Sequence, residues 1–399
     1  MEEGLFARFG EACREDLPRI VALRRSFHEN PEIGLDLPLT SALVAAELDR
    51  LGLAYRRVGS GLIAELGDRG PVIGLRADMD ALPIEEKTLA SYASKRGGAM
   101  HACGHDAHMA SLLGAAGFLV AEEKKGRLGF RPRLLFQVGE EGFFGAKELI
   151  AAGALEGMAA IEGGHVGDLT EELAPGEAGF LPGPMLAASD SFGGSFVGSG
   201  GHGSAPHNSP DPIAAFADFI QALEQFRARE LDQRKPAVVS ICSVSAGKAY
   251  NVIPERLDFK GTARSLEAGL RKRIEERIAE LGASVAARWK LGFEWDWLGG
   301  YPPMVNDPVS SDAIEAAARR LLGPPRVKRL AMPIMGGEDF AFYLERLPGA
   351  FWFLNSQAPE RGITWPNHNP RFDLDEALLA DAAALHLSSA YALAALHTP

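Results

Sequence analysis

Apolar residues recur along this chain with two periods, and the dominant period changes twice. From Leu5 to Phe27 they fall at helical spacing, ending at Glu29-Asn30-Pro31, and again from Thr40 to Leu51, with Gly52 as the stop. Short runs of strand length follow, Leu62 to Leu66 and Val72 to Arg76, the second leading into Ala77-Asp78-Met79-Asp80. Met109 to Val120 is apolar and rich in small residues, the pattern of a buried helix. A strand over 133–138, a helix over roughly 144–152 and a strand over 158–164 continue the alternation until Pro182-Gly183-Pro184 interrupts it. From about Ala187 the texture changes. Ser191 to Val197, Val238 to Val244 and Leu257 to Thr262 alternate as sheet strands. Between and after them, Asp211-Pro212 opens a helix with Ile213, Phe216, Ile220 and Leu223 on one face. Arg264 to Leu281 carries Leu266, Leu270, Ile274, Ile278 and Leu281 at helical spacing. The first texture resumes near Met304, with a helix over 311–322, another beginning near Phe340, and an Ala-rich C-terminal helix capped by Phe372-Asp373-Leu374-Asp375-Glu376. The pattern predicts an α/β domain, split into residues 1–186 and 302–399 by an inserted α+β domain over 187–301.

The length of 399 residues suits two domains better than one, and 46% hydrophobic content supplies their cores. A net charge of -12 argues against nucleic acid and anionic membrane as partners, and no basic patch contradicts it. Cys13, Cys103 and Cys242 are too widely spaced for a disulfide framework and fit a reducing compartment. Met1 to Arg14 is acidic and mixed, without the apolar core of a signal peptide, and no run approaches the ~18 uninterrupted apolar residues of a membrane span. A cytoplasmic protein is expected.

Candidate chemistry concentrates in Met100-His101-Ala102-Cys103-Gly104-His105-Asp106-Ala107-His108, which holds three of ten histidines and one of three cysteines. It joins a Gly97-Gly98 loop to the buried helix, and that helix start is expected to favour the Cys103 thiolate. Thiolate and imidazole are ligands that zinc and its neighbours bind well, and Cys103 and His105, two apart, can converge on one ion. A Cys/His nucleophilic dyad and a purely structural role stand beside the metal reading. A zinc finger does not, because no second cysteine pair follows. Glu140 and Glu141 stand between Gly139 and Gly142 at a strand end. Adjacent carboxylates there point apart, so one can bind metal while the other stays free as a base; alone they read as a solvated turn. His165 ends the next short strand, and His368 lies in a Pro-rich loop, Trp365-Pro366-Asn367-His368-Asn369-Pro370. Asp78 and Asp80 follow a strand, where open α/β sheets place their sites, although either could simply cap a turn.

Together with Arg24-Arg25-Ser26-Phe27-His28-Glu29-Asn30-Pro31-Glu32, Arg76-Ala77-Asp78-Met79-Asp80-Ala81-Leu82-Pro83-Ile84, Gly200-Gly201-His202-Gly203-Ser204-Ala205-Pro206-His207 and Met335-Gly336-Gly337-Glu338-Asp339-Phe340, these segments resemble the metallo-aminoacylase and N-acyl-amino-acid amidohydrolase family over nearly the whole chain. That family includes hippurate hydrolases, indole-acetyl-amino-acid hydrolases and related metallo-carboxypeptidases. One departure is Val138-Gly139 before the glutamates, where the family usually has Pro-Ala.

The resemblance implies that residues 1–186 and 302–399 form a mixed-sheet α/β, metallo-exopeptidase-like catalytic domain, and that 187–301 form a ferredoxin-like insertion that acts as lid and dimerisation domain. It places metal ligands on Cys103, His105, Glu141, His165 and His368. Five side chains exceed one tetrahedral ion and suit two divalent ions, with Zn, Mn, Co and Ni all admissible. It implies Glu140 as general base and Asp80 as the acid that orients a metal-binding imidazole. His202 would stabilise an oxyanion in its own or a partner's active site. His207, Asn251 and Arg264 would bind substrate, Arg264 suiting a carboxylate. Without the resemblance, His202 and His207 read as incidental loop residues, Arg264 as a solvated helix start, and Glu338 and Asp339 as helix caps. The expected activity is metal-dependent hydrolysis of N-acyl-L-amino acids to a carboxylate and a free amino acid by a homodimer or higher oligomer. A metallo-dipeptidase or carboxypeptidase of the same fold is the alternative. A Cys103-nucleophile enzyme would ignore chelators, and a non-catalytic binding protein would lack the base that Glu140 supplies.

Overall fold

The structure, a computed structural model, describes residues 4–398. Met1, Glu2 and Glu3, part of the acidic segment read at the N-terminus, and Pro399 lie outside the described residues. The chain forms two compact units. One holds the residues up to Met185, Val305–Ile334 and those from Asp339 onward; the other holds Leu186–Met304 and Met335–Glu338.

Helices α1 (Leu5–Glu15) and α2 (Leu17–His28) replace the single helix expected over Leu5 to Phe27. Pro18 in the first turn of α2 has no N–H to continue the ladder, so the helix restarts there. Then come α3 (Pro38–Leu51), stopped by Gly52 at φ 74°, and the hairpin β1 (Tyr55–Val58) and β2 (Gly61–Glu65). Next are β3 (Val72–Asp78), α4 (His105–Lys124), β4 (Arg131–Gln137), α5 (Gly145–Ala151), β5 (Met158–Gly167) and β6 (Ala178–Phe180), with β7 (Gly183–Leu186) leading out.

The second unit runs β8 (Ala188–Val197), β9 (Gly201–His202), α6 (Pro212–Arg229), β10 (Ala237–Ala246), β11 (Val252–Ile253), β12 (Arg256–Ser265), α7 (Ala268–Trp289) and β13 (Gly292–Tyr301). After β14 (Met304–Asn306), the first unit is completed by α8 (Pro308–Leu322), β15 (Val327–Arg329), α9 (Ala341–Leu344), β16 (Gly349–Asn355) and α10 (Leu379–His397).

The sheet of the first unit has eight strands in the order β1-β2-β4-β3-β5-β16-β6-β15. β3 runs parallel to β4 and β5, and β5 parallel to β16, while β2 and β6 supply antiparallel pairs. β3 and β16 are buried along their whole length, as central strands covered on both faces must be. α4 packs closely through its small residues: a Cβ on Gly114 would lie 2.6 Å from Ile20 Cδ1. Among the described residues, one helical segment, Glu376–His397, has the length and apolar character of a membrane span, and 78% of its apolar window is buried inside the protein. Asp381, His386 and Ser388 interrupt its apolar run. Its apolar faces are already packed in the core.

In the second unit the order β8-α6-β10-β12-α7-β13 builds a four-stranded antiparallel sheet, β10-β12-β8-β13, the ferredoxin-like βαββαβ arrangement. Phe192, Phe196, Phe219, Phe259, Ile274 and Ile278 form its core between sheet and helices. The helix expected from Arg264 begins only at Ala268, because the alternation of buried and open positions that marks β12 continues through Ser265. Arg264 is therefore a strand residue.

Candidate metal centre

The chain steps from β3 to β4 on one side and then to β5 on the other, and such a reversal opens a crevice at the carboxyl ends of the strands. Asp78 closes β3, with Asp80 just beyond it; Glu140 and Glu141 follow β4. His165 lies inside β5, which runs on to Gly167 rather than stopping at 164. α4 starts at His105 from Gly104, whose φ of 89° suits a residue without Cβ; a Cβ there would also press on Val166 Cγ2 at 3.0 Å. His368 returns at φ 67°, also left-handed.

These elements bring the five expected ligand side chains together within the first unit. Cys103 Sγ lies 3.3 Å from His165 Nε2 and 3.3 Å from His368 Nε2. His368 Nε2 is also 3.3 Å from Glu141 Oε1. Donor atoms lie within 4.8 Å of one another in each of three overlapping groups: Cys103, His105 and His165; Cys103, Glu141 and His368; His105, Glu140 and Glu141. Glu140 is buried, its Oε2 4.0 Å from His105 Nε2. His165 Nδ1 lies 2.8 Å from the Val166 carbonyl oxygen and His105 Nδ1 2.7 Å from the Asp80 carbonyl oxygen. Each Nδ1 therefore carries the hydrogen and leaves the Nε2 lone pair for the centre. His105 Nε2 is buried without a hydrogen-bond partner. Buried polar atoms need partners, and a set of thiol, imidazole and carboxylate donors fits a first-row divalent cation.

Asp80 holds the centre differently from expectation. Its carboxylate accepts the backbone N–H groups of Glu140 at 2.8 Å and Glu141 at 3.0 Å, which fixes the glutamate turn. It is the Asp80 carbonyl oxygen that orients His105, while Asp80 Oδ1 stands 3.9 Å from the ring. The carboxylate that does hold an imidazole is Asp78: Oδ1 accepts from His108 Nδ1 at 2.6 Å and Oδ2 from Arg76 at 2.7 Å.

Burial raises the Cys103 thiol well above its ordinary value, and Glu141, Glu140 and Asp78 raise it further. The expected help from the α4 N-terminus is outweighed, so the thiolate needs a cation. Burial would lower His105, yet Asp78, Asp80 and Glu141 carry it up to about 8, so the centre attracts positive charge. Burial and then His108 push His165 well below the usual range and keep it neutral. Burial lifts Asp80 to about 6 against the pull of His105.

Sequence reasoning gave no role to His108 or Asn367. His108 Nε2 accepts the Val166 N–H at 2.9 Å, so both its nitrogens are engaged and it braces the centre rather than binding to it. Its place three residues after His105 on one helix face was the available signal. Asn367 Nδ2 donates to the Cys103 carbonyl oxygen at 3.1 Å and its Oδ1 accepts the Asp168 N–H at 3.0 Å, while the His368 N–H donates to the Ala102 carbonyl at 2.7 Å. Asp339, expected to cap the helix after it, is fully buried. It accepts from Arg76 at 2.9 Å, from Gln137 at 2.8 Å and from the Ala146 N–H of α5 at 3.0 Å, so it caps a different helix.

The other expected site residues belong to the second unit. His202 is exposed; its Nδ1 accepts from the Ser204 hydroxyl at 2.8 Å. β9 pairs with β11, and the Asn251 carbonyl accepts the Gly203 N–H at 2.8 Å, which sets the His202 turn against Asn251. His207 is exposed in the short turn Pro206–Asn208. Arg264, half-buried on β12, donates to the carbonyl oxygens of Asp190 at 3.3 Å and Ala263 at 3.0 Å.

Residues 74–390 match the family described as Peptidase family M20/M25/M40. The chain is 38% identical over 378 residues to IAA-amino acid hydrolase ILR1-like 4 of Arabidopsis thaliana, covering 93% of this chain and 84% of the relative. It is 35% identical over 376 residues to thermostable carboxypeptidase 2 of Saccharolobus solfataricus, covering 92% and 93%. Among solved structures it resembles a dinuclear metal-binding peptidase of the M20 family from Bacillus subtilis, with a TM-score of 0.81 and 33% identity over 96% of this chain and 99% of that one.

Proposed function

The chain belongs to Peptidase family M20/M25/M40, and from that premise we propose that it is a two-metal amidohydrolase that releases free amino acids from N-acyl-L-amino acids. The observation that carries the reading is the overlap of donor groups through Cys103, His105 and Glu141, with the Glu140 carboxylate beside them. Cys103, His105, Glu141, His165 and His368 would hold the ions, since five side chains exceed one tetrahedral ion. Two divalent ions bound there supply Lewis acidity: they lower the pKa of a water and polarise an amide carbonyl.

Glu140 takes the proton of the attacking water and hands it to the leaving nitrogen. Its turn is held by the Asp80 carboxylate, so the base is fixed relative to His105. Glu141, engaged as a ligand, is not free for that task. In the second unit His202 donates to the oxyanion, in its own or a partner's active site, and His207, Asn251 and Arg264 bind the substrate's polar groups, Arg264 taking the carboxylate. The second unit acts as lid and as the dimerisation domain of a cytoplasmic homo-oligomer. The name of the plant relative supports an amino-acid amide as substrate. That of the archaeal relative favours a second reading, a carboxypeptidase on the same centre that differs only in its acyl pocket.

The test is to quantify bound metal in purified protein and assay amino-acid release from N-acetyl and N-benzoyl amino acids and from dipeptides, before chelation, after it, and after return of Zn or Mn. We expect up to two ions per chain and activity that chelator removes and metal restores. Activity surviving full chelation overturns the mechanism, and turnover of dipeptides alone selects the second reading.

A further inference from the structure

Arg24, on α2, is fully buried. Its Nε donates to Asp106 Oδ2 at 2.7 Å and its Nη2 to Asp373 Oδ1 at 3.0 Å, with Nη1 3.4 Å from Glu376 Oε1. The Tyr92 ring lies 4.7 Å from the guanidinium carbon, and the Tyr92 hydroxyl donates to Asp373 Oδ2 at 2.8 Å. His28 Nδ1 shares Asp106 Oδ2 at 2.7 Å, and Arg25 engages Glu376 at 2.6 Å from the exposed side.

These carboxylates come from two places in the chain. Asp106 directly follows the ligand position His105, in the first turn of α4. Asp373 and Glu376 belong to the segment that leaves the ligand position His368 toward α10. One guanidinium therefore ties the early ligand turn to the late ligand loop. The two ends differ in how firmly they are held: His105 is buried, whereas the His368 side chain is 56% exposed. An exposed ligand must have its position set from behind, and charge-assisted bonds to a buried planar cation do this with defined geometry.

We propose that Arg24 is a positioning residue for the metal centre: by clamping Asp373 and Glu376 to Asp106 it holds the His368 loop at ligand distance from the buried donors. The inference rests on the metal-centre reading above. Since Arg24 variants risk misfolding, Asp373→Asn, at the partly open end of the clamp, accompanies Arg24→Lys, which keeps the charge and loses the fork.

Metal-free protein is titrated with Mn2+ by calorimetry, with thermal unfolding followed in parallel. Wild type is expected to take up two ions, and His368→Ala to lose one of them. Asp373→Asn and Arg24→Lys should weaken that same ion about 10- to 100-fold and leave the other at wild-type affinity. Wild-type affinity for both ions in Asp373→Asn overturns the proposal. So does equal weakening of both ions together with a lowered unfolding temperature, which would make the clamp structural only. Wild-type protein that takes up no metal overturns the reading of the centre itself, and is recognised before any variant is compared.

Discussion

Glu140 and Glu141 are neighbours with the same chemistry, and what separates them is which atoms surround each. Glu141 Oε1 faces His368 at 3.3 Å, while Glu140 Oε2 stands 4.0 Å from His105. Glu140→Gln is expected to cut turnover about 10²- to 10⁴-fold with bound metal unchanged, whereas Glu141→Gln should lose metal as well as turnover. Metal analysis beside a rate assay separates them; loss of metal from Glu140→Gln would reverse the roles. Asp106 allows a second prediction at this scale. Burial alone would raise its carboxyl, but Arg24 and then His28 outweigh burial and hold it well below the ordinary range. A carboxylate depressed in the folded state stabilises fully above its unfolded pKa of ~3.9, and that contribution disappears as pH falls through that value toward the folded one. Asp106→Asn should therefore lower stability at neutral pH and flatten the acid limb of a stability–pH curve measured by urea unfolding. An acid limb as steep as in wild type would assign the effect to other carboxylates.

Among the elements, β5 carries a tight steric condition near the centre. Gly164 pairs with Trp352 of β16, and a Cβ on it would lie 2.2 Å from the indole ring. The ring has no freedom to retreat, because its Nε1 donates to the buried Glu162 at 2.9 Å. Gly164→Ala is thus expected to cost about 1–3 kcal/mol by overpacking and, with His165 next in the chain, to weaken metal binding. A denaturant midpoint equal to that of wild type would show that β5 and β16 can separate without cost. The same strands show what could be read in advance. β3, β4 and α3 were legible because their periodicity is unbroken and their stops are glycines or charged turns. β1 was not, because Arg56 and Arg57 dilute a four-residue strand. The start of α7 was misplaced because Leu266 and Leu270 carry the helical spacing back to the end of β12. In the centre, Cys103, His105, Glu140, Glu141, His165 and His368 stood out one segment at a time, each close to an element end. The bonds that fix them did not: the Glu140 N–H meets Asp80 across 60 residues and Asn367 meets Cys103 across 264, and no local pattern encodes either.

For the molecule as a whole, the centre concentrates carboxyl groups inside a chain that already carries -12. Asp78, Asp80 and Glu140 are buried there, with Glu141 against them. Like charges in a poorly screened interior repel strongly, and Arg76 pairs with Asp78 and with Asp339. A divalent ion that binds this arrangement and not the unfolded chain stabilises by mass action, about 2.7 kcal/mol at a free concentration 100-fold above Kd. The second unit has its own aromatic core and none of these donors, so the effect should fall on the first unit alone. Scanning calorimetry in chelator is expected to move the first unit's unfolding to lower temperature and leave the second unit's in place. Added Zn or Mn should then raise the first transition in proportion to the logarithm of its free concentration. Unfolding that ignores metal would mean that the donors satisfy one another in the folded chain. Movement of both transitions together would mean that the two units unfold as one cooperative body, and that the ion's contribution reaches the residues of the second unit through the fold.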